Sequence, residues 1–349
     1  MANELVRGGI TAATPEAIAQ AADLLRAGDL VGLPTETVYG LAADALNPEA
    51  ARRIFAAKDR PADHPLIVHL PDAEQLPRWA SSIPKEAIAL ARAFWPGPLT
   101  MILKRDPGVP DEVTGGQDTV GLRVPAHRVA QALLKAFDSG IAAPSANRFG
   151  RISPTTAAHV QQELGERVAM ILDGGACEVG IESTIIDLSR SMPEILRPGA
   201  ITADQIAAVI GRQPRVRSDA AQATEPASAE ETAPRVSGAL AAHYAPRTPL
   251  RLVEAPALAG EWAQSLAAGL RVAVLARTLA QPKQGRGHWQ QAPLDATAYA
   301  HDLYATLRDL DAAGADLLLV EALPPTAEWR AVRDRLGRAA AGSGEQDET

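Results

Sequence analysis

The chain has 349 residues, and a prior of roughly 150 residues per domain predicts two domains. Hydrophobic residues make up 46% and charged residues 22%, which excludes a disordered chain or a fibre and suits a globular protein. With 34 Lys+Arg against 42 Asp+Glu the net charge is −8, which argues against gripping a nucleic-acid backbone through global charge. The single cysteine, Cys177, excludes an internal disulfide framework and a multi-cysteine zinc site. The first residues lack a signal-peptide apolar core, and no apolar run reaches the roughly 18 residues of a membrane helix. The expected location is cytoplasmic, with no membrane contact.

In chain order, Thr14 as N-cap, Pro15 at the first helical position and Gly28 as a stop predict a helix. Leu30 to Pro34 reads as a short buried strand, and Asn47-Pro48-Glu49 starts a helix reaching about Ala57. Strands are expected at Leu66 to Leu70, Leu99 to Lys104, Val120 to Val124 and Ile141 to Ala143. Helices are expected at His127 to Phe137 and Pro154 to Leu164, then strands at Val168 to Asp173 and Ser183 to Leu188. This interleaving predicts an α/β domain over 1–211. From Arg212 to about Arg235 large apolar residues almost vanish, so 212–247 reads as a linker. A second α/β pattern fills 248–341, with strands at Leu250 to Val253, Arg271 to Ala276 and Ala315 to Ala322. Its helices are expected at Leu294 to Ala313 and Thr326 to Ala341, and 342–349 is a polar tail.

Phosphate-loop, dinucleotide-fold, H-E-x-x-H and G-x-S-x-G signatures are absent, and the seven histidines are scattered. Polar clusters beside apolar strands remain. Pro34 to Gly40 follows a buried strand, at the sheet edge where ligands bind in open α/β folds; taken alone it reads first as a hydroxyl-rich turn. Lys58 and Arg60 alternate, so an extended segment would turn both cations to one face for an anion, while at a helix end the same pair merely suits the dipole. His69 ends a short strand and also reads as a satisfied core histidine. Arg123 lies inside an apolar run, where an unpaired charge is costly, so it requires a carboxylate or an anionic ligand. Pro144 to Gly150 and Ser153 combine small residues with hydroxyls, and Ser153 doubles as a helix N-cap. Gly180 to Thr184 and Arg197-Pro198-Gly199 are turns with polar side chains.

In this order and spacing, the clusters resemble the YrdC-type domain of threonylcarbamoyl-AMP synthases. The residues are Pro34 to Gly40, Lys58 to Pro61 with Pro65 to His69, Trp95 to Thr100 and Thr119 to Pro125. Pro144 to Asn147 with Ser153, Glu182-Ser183-Thr184 and Arg197-Pro198-Gly199 complete the set. His243-Tyr244-Ala245-Pro246 before a second α/β region is similar to the two-domain form of the family. The resemblance implies a three-layer YrdC-like domain with a twisted mixed sheet and a smaller Rossmann-like domain. It also implies a nucleotidyltransferase joining L-threonine, bicarbonate (or CO2) and ATP into threonylcarbamoyl-AMP and pyrophosphate. A separate transferase would then carry the group to tRNA, beside the anticodon.

The resemblance further implies that Thr35, His69, Arg123, Ala143 (through its backbone) and Ser183 surround threonine. Lys58, Arg60, Ala62, Thr119, Ser145, Asn147, Ser153, Arg197 and Tyr244 would surround ATP, with Lys58 and Arg60 as the catalytic cations. Magnesium would accompany ATP, held by phosphates and water rather than by a protein site. The stretch Val236 to Ala242 lacks the proline and lysine that family linkers often carry before H-Y-A-P, and Tyr244 remains as a lid residue. The alternative is a non-catalytic RNA-binding module of the same fold, against which the −8 charge weighs, leaving room for a weak RNA contact. A related carbamoyl-adenylate enzyme would bring acylphosphatase and zinc-finger regions, and neither is visible.

Overall fold

The structure is a computed structural model describing residues 7–217, 233–238, 240–282 and 287–344. The expected linker therefore lies partly, and the last five tail residues wholly, outside the described residues. Described residues of Met1–Arg148, Pro154–Glu178 and Glu182–Ala239 form one compact unit; those of Phe149–Ser153, Val179–Ile181 and Leu240–Thr349 form a second.

In the first unit the strands are β1 (Gly9–Ala12), β2 (Val31–Leu33), β3 (Gly40–Asp44), β4 (Ile67–His69), β5 (Ala80–Ser82) and β6 (Leu99–Arg105). They continue with β7 (Thr119–Arg123), β8 (Ile141–Ala142), β9 (Met170–Asp173), β10 (Thr184–Asp187), β11 (Glu194–Arg197) and β12 (Arg215–Val216). The helices are α1 (Pro15–Arg26), α2 (Pro48–Lys58), α3 (Lys85–Phe94), α4 (Asp111–Thr114), α5 (Arg128–Phe137), α6 (Ala157–Leu164) and α7 (Ala203–Ile210). All twelve strands join one mixed sheet in the order β1-β9-β2-β3-β8-β4-β7-β6-β10-β11-β12, with β5 beside β6.

Strand alternation sends successive side chains to opposite faces. Val31, Leu33, Ala42, Met170 and Leu172 pack with α1 and α5 on one face. Leu41, Ala43, Ile171, Val68, Val120 and Leu122 pack with α2, α3, α4, α6 and α7 on the other. The result is three layers. A smaller cluster of Ile67, Ile102, Ile185 and Leu196 includes no helical residue; Val236, from the expected linker, seals it, with Ala233 alongside. On β4, β6, β7 and β10 the face opposite the helix-backed core thus lies free of a helix among these contacts, and there the candidate residues gather.

The second unit contains β13 (Leu250–Val253), α8 (Ala255–Ala267), β14 (Val272–Ala276), β15 (His288–Gln291), α9 (Ala296–Ala312), β16 (Leu317–Glu321) and α10 (Arg330–Gly342). Its four strands are all parallel, in the order β13-β16-β14-β15. Asp295 begins α9 later than expected, because its carboxylate accepts from the Thr297 and Ala298 amides at 3.0 and 2.9 Å. The helix expected from Pro154 starts at Ala157: Thr156, not Ser153, is its cap, accepting from the His159 amide at 3.3 Å. No helix of the described residues is long and apolar enough to cross a membrane.

Candidate active site

Arg123 ends β7 in register with His69 on β4, and both side chains leave the sheet on the helix-free face. The anion that Arg123 requires is a protein carboxylate: Glu36, 2.7 Å away, with the two side chains 4% and 5% exposed. The guanidinium also donates through Nε to the Gly97 carbonyl at 3.2 Å and through Nη1 to Thr37 Oγ1 at 2.9 Å. Thr35 and Thr37 hydroxyls lie 2.9 Å apart, and Thr35 donates to the Val38 carbonyl at 2.6 Å. Protons therefore run one way, from Arg123 through Thr37 and Thr35 to Val38, which fixes both threonine rotors of the Pro34 to Gly40 loop. Thr35 Oγ1 also accepts from the Thr37 and Val38 amides at 3.2 and 3.3 Å, so its hydroxyl holds the loop's shape from within.

His69 is 3% exposed, and its Nδ1 has no hydrogen-bond partner. Burial, reinforced by the Arg123 charge, pushes its pKa well below the usual histidine value, so the ring is neutral. A buried imidazole nitrogen without a partner is uncommon in a finished core and points to a ligand.

Ser183 precedes β10 and is 1% exposed; its Oγ lies 2.7 Å from Thr100 Oγ1 and accepts from Arg197 Nη2 at 3.1 Å. Arg197 reaches this face through a β-bulge. Ile185 pairs with Arg197 and Ile186 with Ile195, leaving Leu196 as the extra residue. The bulge lets Leu196 join the apolar cluster while Arg197 turns to the serine. Arg197 also donates through Nη1 to the Ser237 carbonyl at 2.9 Å. Thr119, Gly121, Ile185, Gln117, Val236 and Ser237 help line a shallow pocket open to solvent.

Lys58 departs from expectation. Asp59 caps α2 in the left-handed conformation at φ 54°, so Lys58 and Arg60 do not share an extended face. Lys58 is 2% exposed and donates to the Ser145 and Asn147 carbonyls. Burial, then the neighbouring Arg60, lowers its pKa well below the lysine norm. The ammonium thus ties the Pro144 to Asn147 segment to α2, a role beyond both readings of a K-x-R pair. Arg60 donates to the Pro65 carbonyl at 3.1 Å and lies 5.9 Å over the Phe55 ring; Ala62, two residues on, is exposed. The Ala143 amide is committed to the Ile67 carbonyl at 3.0 Å, so any backbone contact from Ala143 falls to its carbonyl.

Two expected residues belong to the second unit. Ser153 is fully buried there. Tyr244, expected as a free lid residue in a tether, is 1% exposed: it stacks 5.7 Å from Tyr304, with the Arg335 guanidinium 5.2 Å over its ring. This packing holds its left-handed backbone, φ 62°, which a bulky residue rarely adopts. Reasoning from sequence missed Glu36 and Thr37 as the partners of Arg123, although Glu36 stood inside the first cluster, 87 residues from that arginine. It also missed Thr100 beside Ser183.

Comparison with known proteins finds two family models on successive stretches of the chain, the second beginning inside the first compact unit. A family model described as "Telomere recombination" (Sua5, YciO, YrdC) matches residues 23–199, and one described as "Threonylcarbamoyl-AMP synthase, C-terminal domain" matches residues 201–341. The threonylcarbamoyl-AMP synthase of Pyrococcus abyssi is 39% identical, covering 91% of this chain and 92% of its own. That of Bacillus subtilis is 40% identical, covering 93% of each. The crystal structure of P. abyssi Sua5 complexed with L-threonine matches with a TM-score of 0.87 at 37% identity, over 96% of this chain and 98% of that one. The chain belongs to the threonylcarbamoyl-AMP synthase family of enzymes.

Proposed function

We propose that the protein is a nucleotidyltransferase condensing L-threonine, bicarbonate or CO2, and ATP into threonylcarbamoyl-AMP and pyrophosphate, for delivery to tRNA by a separate transferase. The observation that carries this reading is the buried polar group Thr35, His69, Arg123 and Ser183 on one sheet face, with His69 Nδ1 unpartnered, in a chain like one complexed with L-threonine. Arg123 would meet the threonine carboxylate, the neutral His69 ring would turn its unpartnered nitrogen to the substrate, and Thr35 would line the same site. Lys58, Arg60, Ala62, Thr119, Ser145, Asn147, Ser153, Arg197 and Tyr244 would serve the nucleotide.

Carbamate on an amine is short-lived in water, so the site must hold it against the α-phosphate and exclude solvent. No protein nucleophile is needed; positioning and cations beside the phosphorus supply the catalysis. Among the described residues no cluster of three or more His, Cys, Asp or Glu could cage a metal. Magnesium would be carried on the triphosphate by phosphate oxygens and water, where it would offset phosphate charge.

The test is mass spectrometry of the product together with pyrophosphate release. Threonylcarbamoyl-AMP should form, and pyrophosphate appear, only when threonine and bicarbonate are both present, without tRNA. Equal release lacking either one would overturn the reading.

A further inference from the structure

Glu36 and Arg123 are closer than their hydrogen bonding explains. Glu36 Oε2 accepts from the Ala126 amide at 3.0 Å, in the turn just past β7. Its Oε1 lies 2.7 Å from Arg123 Nη2, yet neither atom has a hydrogen-bond partner. Nε and Nη1 of the same guanidinium are committed to Gly97 and Thr37. A buried pair serving stability alone would gain most from aligned, bidentate bonds that offset its desolvation. Here the two charges meet at 2.7 Å without an aligned hydrogen bond between them, beside a histidine nitrogen on the adjoining strand that has no hydrogen-bond partner.

We propose that Glu36 is a positioning residue acting through Arg123: it holds the guanidinium in place as its counter-charge, with Nη2 available to an incoming amino-acid carboxylate. The inference rests on the amino-acid site proposed above and adds a role for a residue outside that set. Without the carboxylate, a buried cation clamped only by a carbonyl and a hydroxyl turns towards water or another anion, and the donor geometry is lost. Glu36 does not itself move a proton or bond to the substrate.

The decisive variant is Glu36→Gln, which keeps the shape and an acceptor for the Ala126 amide but removes the charge. In the full-length protein, KM for threonine should rise about 10- to 100-fold, the worth of a charge-assisted hydrogen bond. The Kd for L-threonine alone, by calorimetry, should rise in parallel, while KM for ATP stays within about twofold. In an Arg123→Ala background, Glu36→Gln should add no more than about twofold, because its partner is already gone. Glu36→Asp, charged but shorter, should fall between wild type and Glu36→Gln, and it carries the test if the glutamine variant does not fold. Unchanged threonine affinity in the variants, full multiplication of the two effects in the double variant, or equal rises for threonine and ATP would each overturn the proposal. A wild-type protein that binds no threonine would overturn the underlying site as well, and is distinguishable because it needs no variant.

Discussion

At the scale of single residues, the site is built from groups held in unusual states by burial. His69 is the clearest case. Its pKa lies well below the ordinary value because the charged ring would be desolvated and would face Arg123. In the unfolded chain the same ring titrates near roughly 6.5. The unfolded state therefore takes up the proton first as pH falls, and stability, complete above that value, declines below it. His64 and His127 are shifted the same way, by burial first, and contribute in the same window. The melting temperature should accordingly drop as pH falls below about 6.5, His69 accounting for up to about 1.4 kcal/mol per pH unit. His69→Gln, with no titrating ring, should show a shallower drop; an identical slope in variant and wild type would mean that His69 protonates freely in the folded protein. None of these states could be read from the sequence at the positions themselves. Arg123 announced only that it needed an anion, and Lys58 only that it was a cation near a helix end. Their actual partners, Glu36 and the Ser145 and Asn147 carbonyls, are supplied by chain segments 87 to 89 residues away.

At the scale of elements, what the sequence made legible was whatever local chemistry decides. Helices α1 and α2 follow from Thr14-Pro15 and Asn47-Pro48, where the cap and the proline act within a few residues. Strand β3, Gly-Leu-Ala-Ala-Asp, carries no β-branched residue and is a strand because β2 and β8 pair with it on both sides. The bulge in β11 is likewise invisible in Glu194–Arg197 alone, since an extra residue exists only relative to β10. Yet that bulge aims Arg197, and the glycine after it secures the geometry. A Cβ on Gly199 would lie 2.4 Å from the Thr184 amide nitrogen and 2.8 Å from the Ser183 carbonyl carbon, where the backbone cannot give way cheaply. Gly199→Ala should therefore push the start of β10 away from the R-P-G turn. We expect about 1–3 kcal/mol of destabilisation from overpacking and a loss of product formation larger than the loss of folded protein. The check is thermal melting beside activity per folded molecule; wild-type values for both would show that the turn relaxes without moving Ser183.

At the scale of the whole molecule, the segment between the two α/β regions is more than a tether where it is described. Its composition predicted a linker because large apolar residues are scarce, and that scarcity hid the importance of the few present. Val236, 5% exposed, closes the cluster of Ile67, Ile102, Ile185 and Leu196, the part of the first unit's sheet that has no helix in its cluster. Polar contacts fix the register on either side. The Arg235 amide donates to Gln117 Oε1 at 2.7 Å, Gln117 Nε2 donates back to the Arg235 carbonyl at 3.2 Å, and Ser237 offers its carbonyl to Arg197. The segment thus forms one wall of the pocket that also contains Thr119. Burying a valine side chain contributes about 1.5–3 kcal/mol, enough to hold six residues in place but small beside the two larger cores. Val236→Asp should detach the segment, because an unpaired carboxylate is not tolerated among four apolar side chains. The fold should persist, since the larger cores are untouched. Product formation should fall about tenfold, the equivalent of about 1.4 kcal/mol, chiefly through a higher KM for ATP if the Thr119 side of the pocket serves the nucleotide. Val236→Ala, which removes packing without adding charge, should give a smaller effect in the same direction. Full activity in the aspartate variant with an unchanged KM for ATP would show that the segment only joins the two units.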